Sequence, residues 1–327
     1  LVVASRGDAI ESVYYGSIAV VTASGQLLAS VGDVEFPMFT RSTLKPFQAL
    51  PFLADGGPAH FGFSSEQVAL LCASHSGEAR HIAAVRDMLA RSGGSEMQLQ
   101  CGCHVPLWYA TTGVAPPPDL PASPLHHNCS GKHAGFLAWC HQHGQPVENH
   151  LDPGHPLQQA IRQTLATFVG CSADAMPVGI DGCGAPNYAL PLAALARAYA
   201  RLATHAEDLD HAADLKSLFA AMTTHPEMVS GEARDDLMLM QAAPQDWAAK
   251  GGAEGVQAIG INSRGIGIAM KIADGNPRAL RTAVAAVIEQ LHLQLPGNDK
   301  PMREWGEGSI LNVAGRQTGR LKPVFEL

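Results

Sequence analysis

The chain has 327 residues, 46% of them hydrophobic and 16% charged. That composition describes an ordered globular protein with enough apolar surface for a sizeable core. Its formal net charge of −8 comes without any Lys/Arg-rich block, which argues against nucleic acid or an anionic membrane surface as a partner.

No apolar run reaches the roughly 18 residues of a membrane-spanning helix. The opening LVVASRGDAIESVYY lacks a basic stretch followed by a long apolar one, so a cytoplasmic location is the expectation. Seven cysteines, an odd number spread over a long chain, read as reduced thiols, most of them small core residues.

In chain order, SIAVVT and LLASVG flank the turn ASGQ and predict two strands. MFTRSTLKPFQALPFLADGG predicts a helix. Pro46 is tolerated only in a first turn, which places the start at Ser42 to Lys45, and Gly56-Gly57 ends it. A short apolar segment, VALLCA, leads through SHSGE into a helix in which Ile82, Val85, Met88 and Leu89 recur at helical spacing. Residues 95–128 are loop-rich. Helices are predicted near 156–169, 190–203, 208–222 and 232–241, with MPVGIDGCGAP as an irregular Gly-rich segment between the first two. GVQAIGI and GIGIAMKIAD flank NSRG as a hairpin, and a helix follows over 277–293. Strands at both ends with helices between them predict a single α+β domain over residues 1–327, its antiparallel sheet built from both termini. No strand-linked G-x-G-x-x-G or G-x-x-x-x-G-K-[ST] run points to phosphate binding.

Three short stretches carry candidate chemistry. In Arg41-Ser42-Thr43-Leu44-Lys45, Ser42 and Lys45 are three apart, which on a helical turn puts them on one side. A serine hydroxyl is a poor nucleophile until a base takes its proton, and a neutral lysine amine can be that base. The same pattern also arises as an N-cap serine beside a solvated lysine. Ser74 lies in CASHSGE, either as a second site hydroxyl or as part of a helix-capping loop. Lys250 opens KGGAEG, where a lysine followed by small residues starts a strand whose edge a substrate can approach. The order strand, SxxK, helices, KGG, strand is that of a serine β-lactamase/glutaminase-like domain.

HHNCSGKHAGF, residues 126–136, packs a thiol, a lysine and three histidines together, and Cys183 lies in a second Gly-rich stretch. Two thiolates and a nitrogen make a reasonable zinc set, with His133 or His127 as the nitrogen on donor chemistry alone. Two reduced cysteines, or a disulfide, are the alternative readings. CGCH at 101–104 reads as structural.

Taken together, RSTLKPFQAL, CASHSGE, HNCSGKHAG, DGCGAP, HPEMVSGE, KGGAEG and GIAMKIADGN resemble the Rhizobium-type (class 3) L-asparaginases, over about residues 5–295. The resemblance implies hydrolysis of L-asparagine to L-aspartate and ammonia by a homodimer with a β-lactamase/glutaminase-like fold. It implies two Ser-Lys pairs, Ser42 with Lys45 and Ser74 with Lys250, and a zinc ion on Cys129, Lys132 and Cys183 in place of a histidine ligand. Arg41, His133 and Asp181 match residues around that site. The implied mechanism has Ser42 attack the amide with Lys45 as base, and Ser74 relay the proton; the two serines can exchange roles. Zinc is read as positioning substrate or loops. A glutaminase, another SxxK amidohydrolase of β-lactamase type, and a non-catalytic zinc-binding module are the competing readings.

Overall fold

The computed structural model describes residues 1–206 and 211–327. The chain runs through β1 (Val2–Arg6), β2 (Ala9–Tyr14), β3 (Gly16–Thr22), β4 (Leu27–Val31) and β5 (Pro37–Phe39), then a 3-10 turn over Arg41–Leu44. Helices α1 (Lys45–Ala54), α2 (Gly57–Phe61), α3 (Ser65–Leu71), α4 (Ala79–Ser92), α5 (Leu107–Thr112), α6 (Ser130–Gln142) and α7 (Pro156–Val169) follow. Next come β6 (Val178–Ile180), β7 (Pro186–Pro191), α8 (Leu192–Thr204), α9 (Ala212–Thr224), α10 (Pro226–Val229) and α11 (Asp235–Ala242). The chain ends with β8 (Trp247–Gly252), β9 (Val256–Ile261), β10 (Ile266–Ile272), α12 (Pro277–Gln290), α13 (Lys300–Glu307), β11 (Ser309–Leu311) and β12 (Gln317–Pro323).

Tertiary contacts divide the chain into two compact units. The first comprises Leu1–Thr43, Leu190–Thr204 and Met238–Leu327; the second comprises Leu44–Ala189 and His205–Leu237.

The first unit holds a five-stranded antiparallel sheet in the order β4-β3-β10-β9-β8. N-terminal and C-terminal strands are thus neighbours, as the α+β reading predicts. β9 is buried along its whole length and β10 nearly so, because α8 and α12 cover β10 and α8 also covers β9. Gly260 and Gly267 permit this: a Cβ at either would strike a backbone carbonyl oxygen of α8, that of Tyr199 or Ala196. A four-stranded sheet, β11-β12-β1-β2, joins the two ends of the chain through the pairing of Val2 with Pro323.

The second unit is largely helical. Pro46 sits in the first turn of α1, where its missing N–H matters least, and Phe47, Leu50, Phe52 and Leu53 are buried against neighbouring helices. α3, which covers most of VALLCA, opens with a capping box in which Ser64 accepts from Gln67 N and Gln67 Oε1 accepts from Ser64 N. α6 packs against α3 at Gly131, where a Cβ would lie 2.6 Å from Leu70 O.

Differences from the sequence-based expectation are local. MPVGIDGCGAP is not wholly irregular: Val178–Ile180 pairs antiparallel with β7 around the tight turn that carries Cys183. The helix predicted over 208–222 is seen as Ala212–Thr224, and residues 208–210 lie outside the described residues. The C-terminal helix stops at Gln290. β11, with three residues, is too brief to produce a two-residue alternation above background, and β12 carries few apolar residues to reveal one. All seven cysteines are free thiols, and five are buried. Among the described residues, no helix is long and apolar enough to cross a membrane.

Candidate active site

In the first unit, Arg41 and Ser42 sit on a turn pinned from below. Thr43 Oγ1 donates to Thr40 O at 2.7 Å, and Tyr199 Oη donates to Thr43 O at 2.7 Å. Arg41 holds a positive φ of 53°, unusual for a side-chain-bearing residue, and its guanidinium lies 3.8 Å from Glu254. β8 runs past this turn so closely that a Cβ at Gly252 would lie 3.0 Å from Thr40 O, 3.2 Å from Arg41 Cβ and 3.4 Å from Ser42 N. Gly252, two residues after Lys250, therefore brings the KGG strand against the backbone of Ser42. Lys250 is fully buried and its Nζ donates to Gly251 O at 2.7 Å.

In the second unit, Lys45 opens α1 with its side chain buried at 1% exposure. Its Nζ donates to Ala73 O at 2.5 Å and to Ser74 Oγ at 2.9 Å. Ser74 follows the end of α3, and its N–H donates to Val229 O at 2.9 Å. A buried hydroxyl within hydrogen-bond reach of a buried amine has the geometry for proton transfer.

The residue after Ser74 was not singled out from the sequence, yet it holds the loop. His75 N donates to Asn128 O at 3.1 Å. Gly77 N donates to His75 Nδ1, so the ring proton sits on Nε2, which donates to Ser130 Oγ at 2.8 Å; that hydroxyl donates in turn to Leu125 O. Burial, with His81 and Lys45 nearby, holds His75 well below the ordinary imidazole value and therefore neutral.

Cys129, Lys132 and Cys183 converge in the same unit, each buried. Lys132 projects from the first turn of α6 and donates to Cys183 Sγ at 3.2 Å. A hydrogen bond from Cys129 holds the Cys183 thiol well below its ordinary range, burial opposes, and the Lys132 ammonium assists. That same bond, with burial, raises Cys129. Burial alone would lower Lys132, but the Cys183 and Cys129 sulfurs outweigh it and raise its value. Cys183 thus lies against the Lys132 amine and beside the Cys129 thiol. Asp181 shapes the turn under Cys183, accepting from Gly184 N at its carbonyl and from Gly182 N at Oδ1, both at 2.9 Å. Burial pushes His133 down to about 4, and neither ring nitrogen is in hydrogen-bond geometry with a partner.

Two sulfurs and an amine in one buried cluster match the donor preferences of zinc. Among the described residues, no group of three His, Cys, Asp or Glu side chains is gathered as a metal set. Lys132, the nitrogen donor that the resemblance implies, would have to give up a proton to bind.

Within the second unit, then, the structure gathers Lys45 with Ser74, and Cys129 with Lys132, Cys183, His133 and Asp181. Within the first, it gathers Arg41, Ser42 and the Lys250 strand. The missed contributors are His75 and Ser130, whose only sequence signal is their position inside CASHSGE and NCSGK.

A family model described as L-asparaginase II matches residues 2–323. No curated protein matches the chain. Among solved structures, Mglu in its native form is 15% identical with a TM-score of 0.47, the alignment covering 87% of this chain and 66% of that one. Mglu in its L-glutamate binding form is 16% identical with a TM-score of 0.42, covering 87% and 61%. A β-lactamase from Mycobacterium bovis is 13% identical with a TM-score of 0.35, covering 83% and 94%. The chain spans just under two-thirds of the length of the Mglu chains it matches. With the family match running from residue 2 to residue 323, the chain belongs to the L-asparaginase II family.

Proposed function

We propose that the protein is an amidohydrolase that converts L-asparagine to L-aspartate and ammonia through an acyl-enzyme. Family membership supports the reaction class, and one observation carries the mechanism: the buried Lys45 amine bonded to the Ser74 hydroxyl at 2.9 Å. In this reading Ser42 attacks the side-chain carbonyl of asparagine and Lys45 accepts its proton. Ser74, held on Lys45, passes a proton to the departing nitrogen. The C–N bond breaks, ammonia leaves, and an ester on Ser42 remains. Water then attacks the ester, its proton returning to the serine oxygen by the same route.

Cys129, Lys132 and Cys183 would hold a zinc ion. When bound, it supplies a fixed positive charge that orients a substrate group. The residues themselves fix the Gly-rich turn at Cys183 to the start of α6. The proposal includes a homodimer and a cytoplasmic location, the first checked by sedimentation.

Ammonia release from L-asparagine and from L-glutamine, with wild type and Ser42→Ala, tests the reading. Release from asparagine that the substitution abolishes supports it. Release from glutamine alone makes the protein a glutaminase. No release from either by folded, zinc-loaded protein rejects an amidohydrolase function.

A further inference from the structure

Asn128 precedes Cys129, and its partners come from three places in the second unit. Its N–H donates to His104 Nε2 at 3.0 Å, and its carbonyl oxygen accepts from His75 N at 3.1 Å. Its side-chain Oδ1 accepts from Cys129 Sγ at 3.0 Å. Asn128 is half-buried, whereas Cys129 is buried. One residue thus touches the loop beside Ser74 through its backbone and the sulfur cluster through its side chain.

The ring that holds the Asn128 N–H belongs to the CGCH stretch, which has no place in the Ser-Lys or sulfur motifs. His104 Nδ1 donates to Val105 O at 2.7 Å, which puts the ring proton on that nitrogen and leaves Nε2 as an acceptor. The ring also packs on His127, with centroids 4.5 Å apart, and His127 Nδ1 accepts from Cys129 N at 3.1 Å. Two imidazoles in contact therefore hold two consecutive backbone N–H groups, those of Asn128 and Cys129. With its backbone fixed at both N–H and C=O, Asn128 presents its carboxamide to the sulfur from a defined place.

The Cys129 thiol has one proton and two acceptors in reach, Asn128 Oδ1 and the Cys183 sulfur. A carboxamide suits this position, because its oxygen accepts from a thiol and its amide N–H can donate to a thiolate. Hydrogen-bonded partners of this kind orient metal-binding side chains from outside the ligand set.

We propose that Asn128, braced by His104, is a positioning residue for the Cys129 sulfur. The hold on the sulfur stands on the contacts above; its consequence for zinc rests on the reading of Cys129, Lys132 and Cys183 as a metal cluster.

Alkylation of the metal-free full chain by iodoacetamide, resolved by site with peptide mass spectrometry, tests the hold. Cys72 and Cys140 are buried in the same unit and serve as controls, because a general loosening exposes them as well and a local one does not. Asn128→Ala should speed alkylation at Cys129 about fivefold, the worth of one hydrogen bond, with Cys72 and Cys140 unchanged. Asn128→Asp keeps an oxygen acceptor and should react no faster than wild type. His104→Leu should speed Cys129 alone, and His104→Gln, whose amide oxygen can accept the Asn128 N–H, should restore the wild-type rate. By chelator competition, Asn128→Ala and His104→Leu should each weaken zinc binding about tenfold or more. A wild-type alkylation rate at Cys129 in both variants overturns the inference. An equal rise at all three cysteines in both also overturns it, by making the two residues structural, as does unchanged zinc affinity in a protein that binds zinc. A wild type that binds no zinc rejects the metal reading alone, and the alkylation rates then decide this inference by themselves.

Discussion

His75 Nε2 donates to Ser130 Oγ at 2.8 Å and ties the loop that carries Ser74 to the first turn of α6, where Lys132 begins. The bond spans 55 residues of sequence and lies wholly within the second unit. It is reinforced by His75 N on Asn128 O. The Ser74–Lys45 pair and the sulfur cluster are therefore carried by one hydrogen-bonded piece rather than by two independent loops.

This arrangement predicts a pH dependence of stability. Burial and the neighbouring His81, Lys45, His127 and His104 hold His75 well below its ordinary value, and burial lowers His81 as well. The unfolded chain takes up a proton on each near pH 6.5, whereas the folded chain does so only at lower pH. Stability is therefore full above about pH 6.5 and falls as pH drops, by about 1.4 kcal/mol per pH unit for each such group. Urea titrations at pH 7.5, 6.0 and 5.0 measure the slope, and His75→Gln should flatten it. A wild-type slope that His75→Gln leaves untouched would contradict the assignment.

Lys45→Met and Lys45→Arg should each lower kcat/KM by about a thousandfold or more, because methionine has no base and arginine does not give up its proton. Steady-state ammonia release, alongside circular dichroism to confirm folding, reads the effect. Arginine activity near wild type would show that charge, not proton transfer, is what the position supplies.

The acyl group should be found on Ser42. Rapid quench with a slow ester or hydroxamate substrate, digestion and mass spectrometry locates it. An adduct on Ser74 would reverse the roles given to the two serines and keep Lys45 as their shared partner.

Removing metal should raise KM more than it lowers kcat, as expected of a group that positions substrate. Cys183→Ser should lower bound zinc from about one per chain to a small fraction of that, measured by elemental analysis independently of activity. Full zinc content in the variant would move the metal away from these residues.

Gly131→Ala should destabilise the protein by about 1–3 kcal/mol, because its Cβ would meet the Leu70 carbonyl at 2.6 Å and force α6 off α3. Denaturant midpoints at constant m-value measure it. A neutral result would mean that this helix contact yields more easily than the close approach implies.

Several features were legible because they are local. Pro46 and the apolar spacing after it mark the start of α1 and its buried face, and Gly56-Gly57 follow its end. The NSRG hairpin followed from alternation on both sides of a turn. The pairs the resemblance implies are Ser42 with Lys45 and Ser74 with Lys250, whereas the hydrogen bonds seen join Lys45 to Ser74 and Lys132 to Cys183. His75 was passed over because a histidine in a Ser/Gly loop carries no local signal of its partner.

The sequence by itself determined the α+β class, the element order around the SxxK and KGG stretches, and the residue types able to do amide chemistry. These follow from periodicity, turn chemistry and side-chain reactivity, which act over a few residues. Tertiary structure decided which hydroxyl the Lys45 amine meets and which thiol lies against the Lys132 amine. Those outcomes depend on burial and on contacts between segments 28 to 154 residues apart, as with Lys45 to Ala73 and Glu78 to Glu232, and no local pattern encodes them.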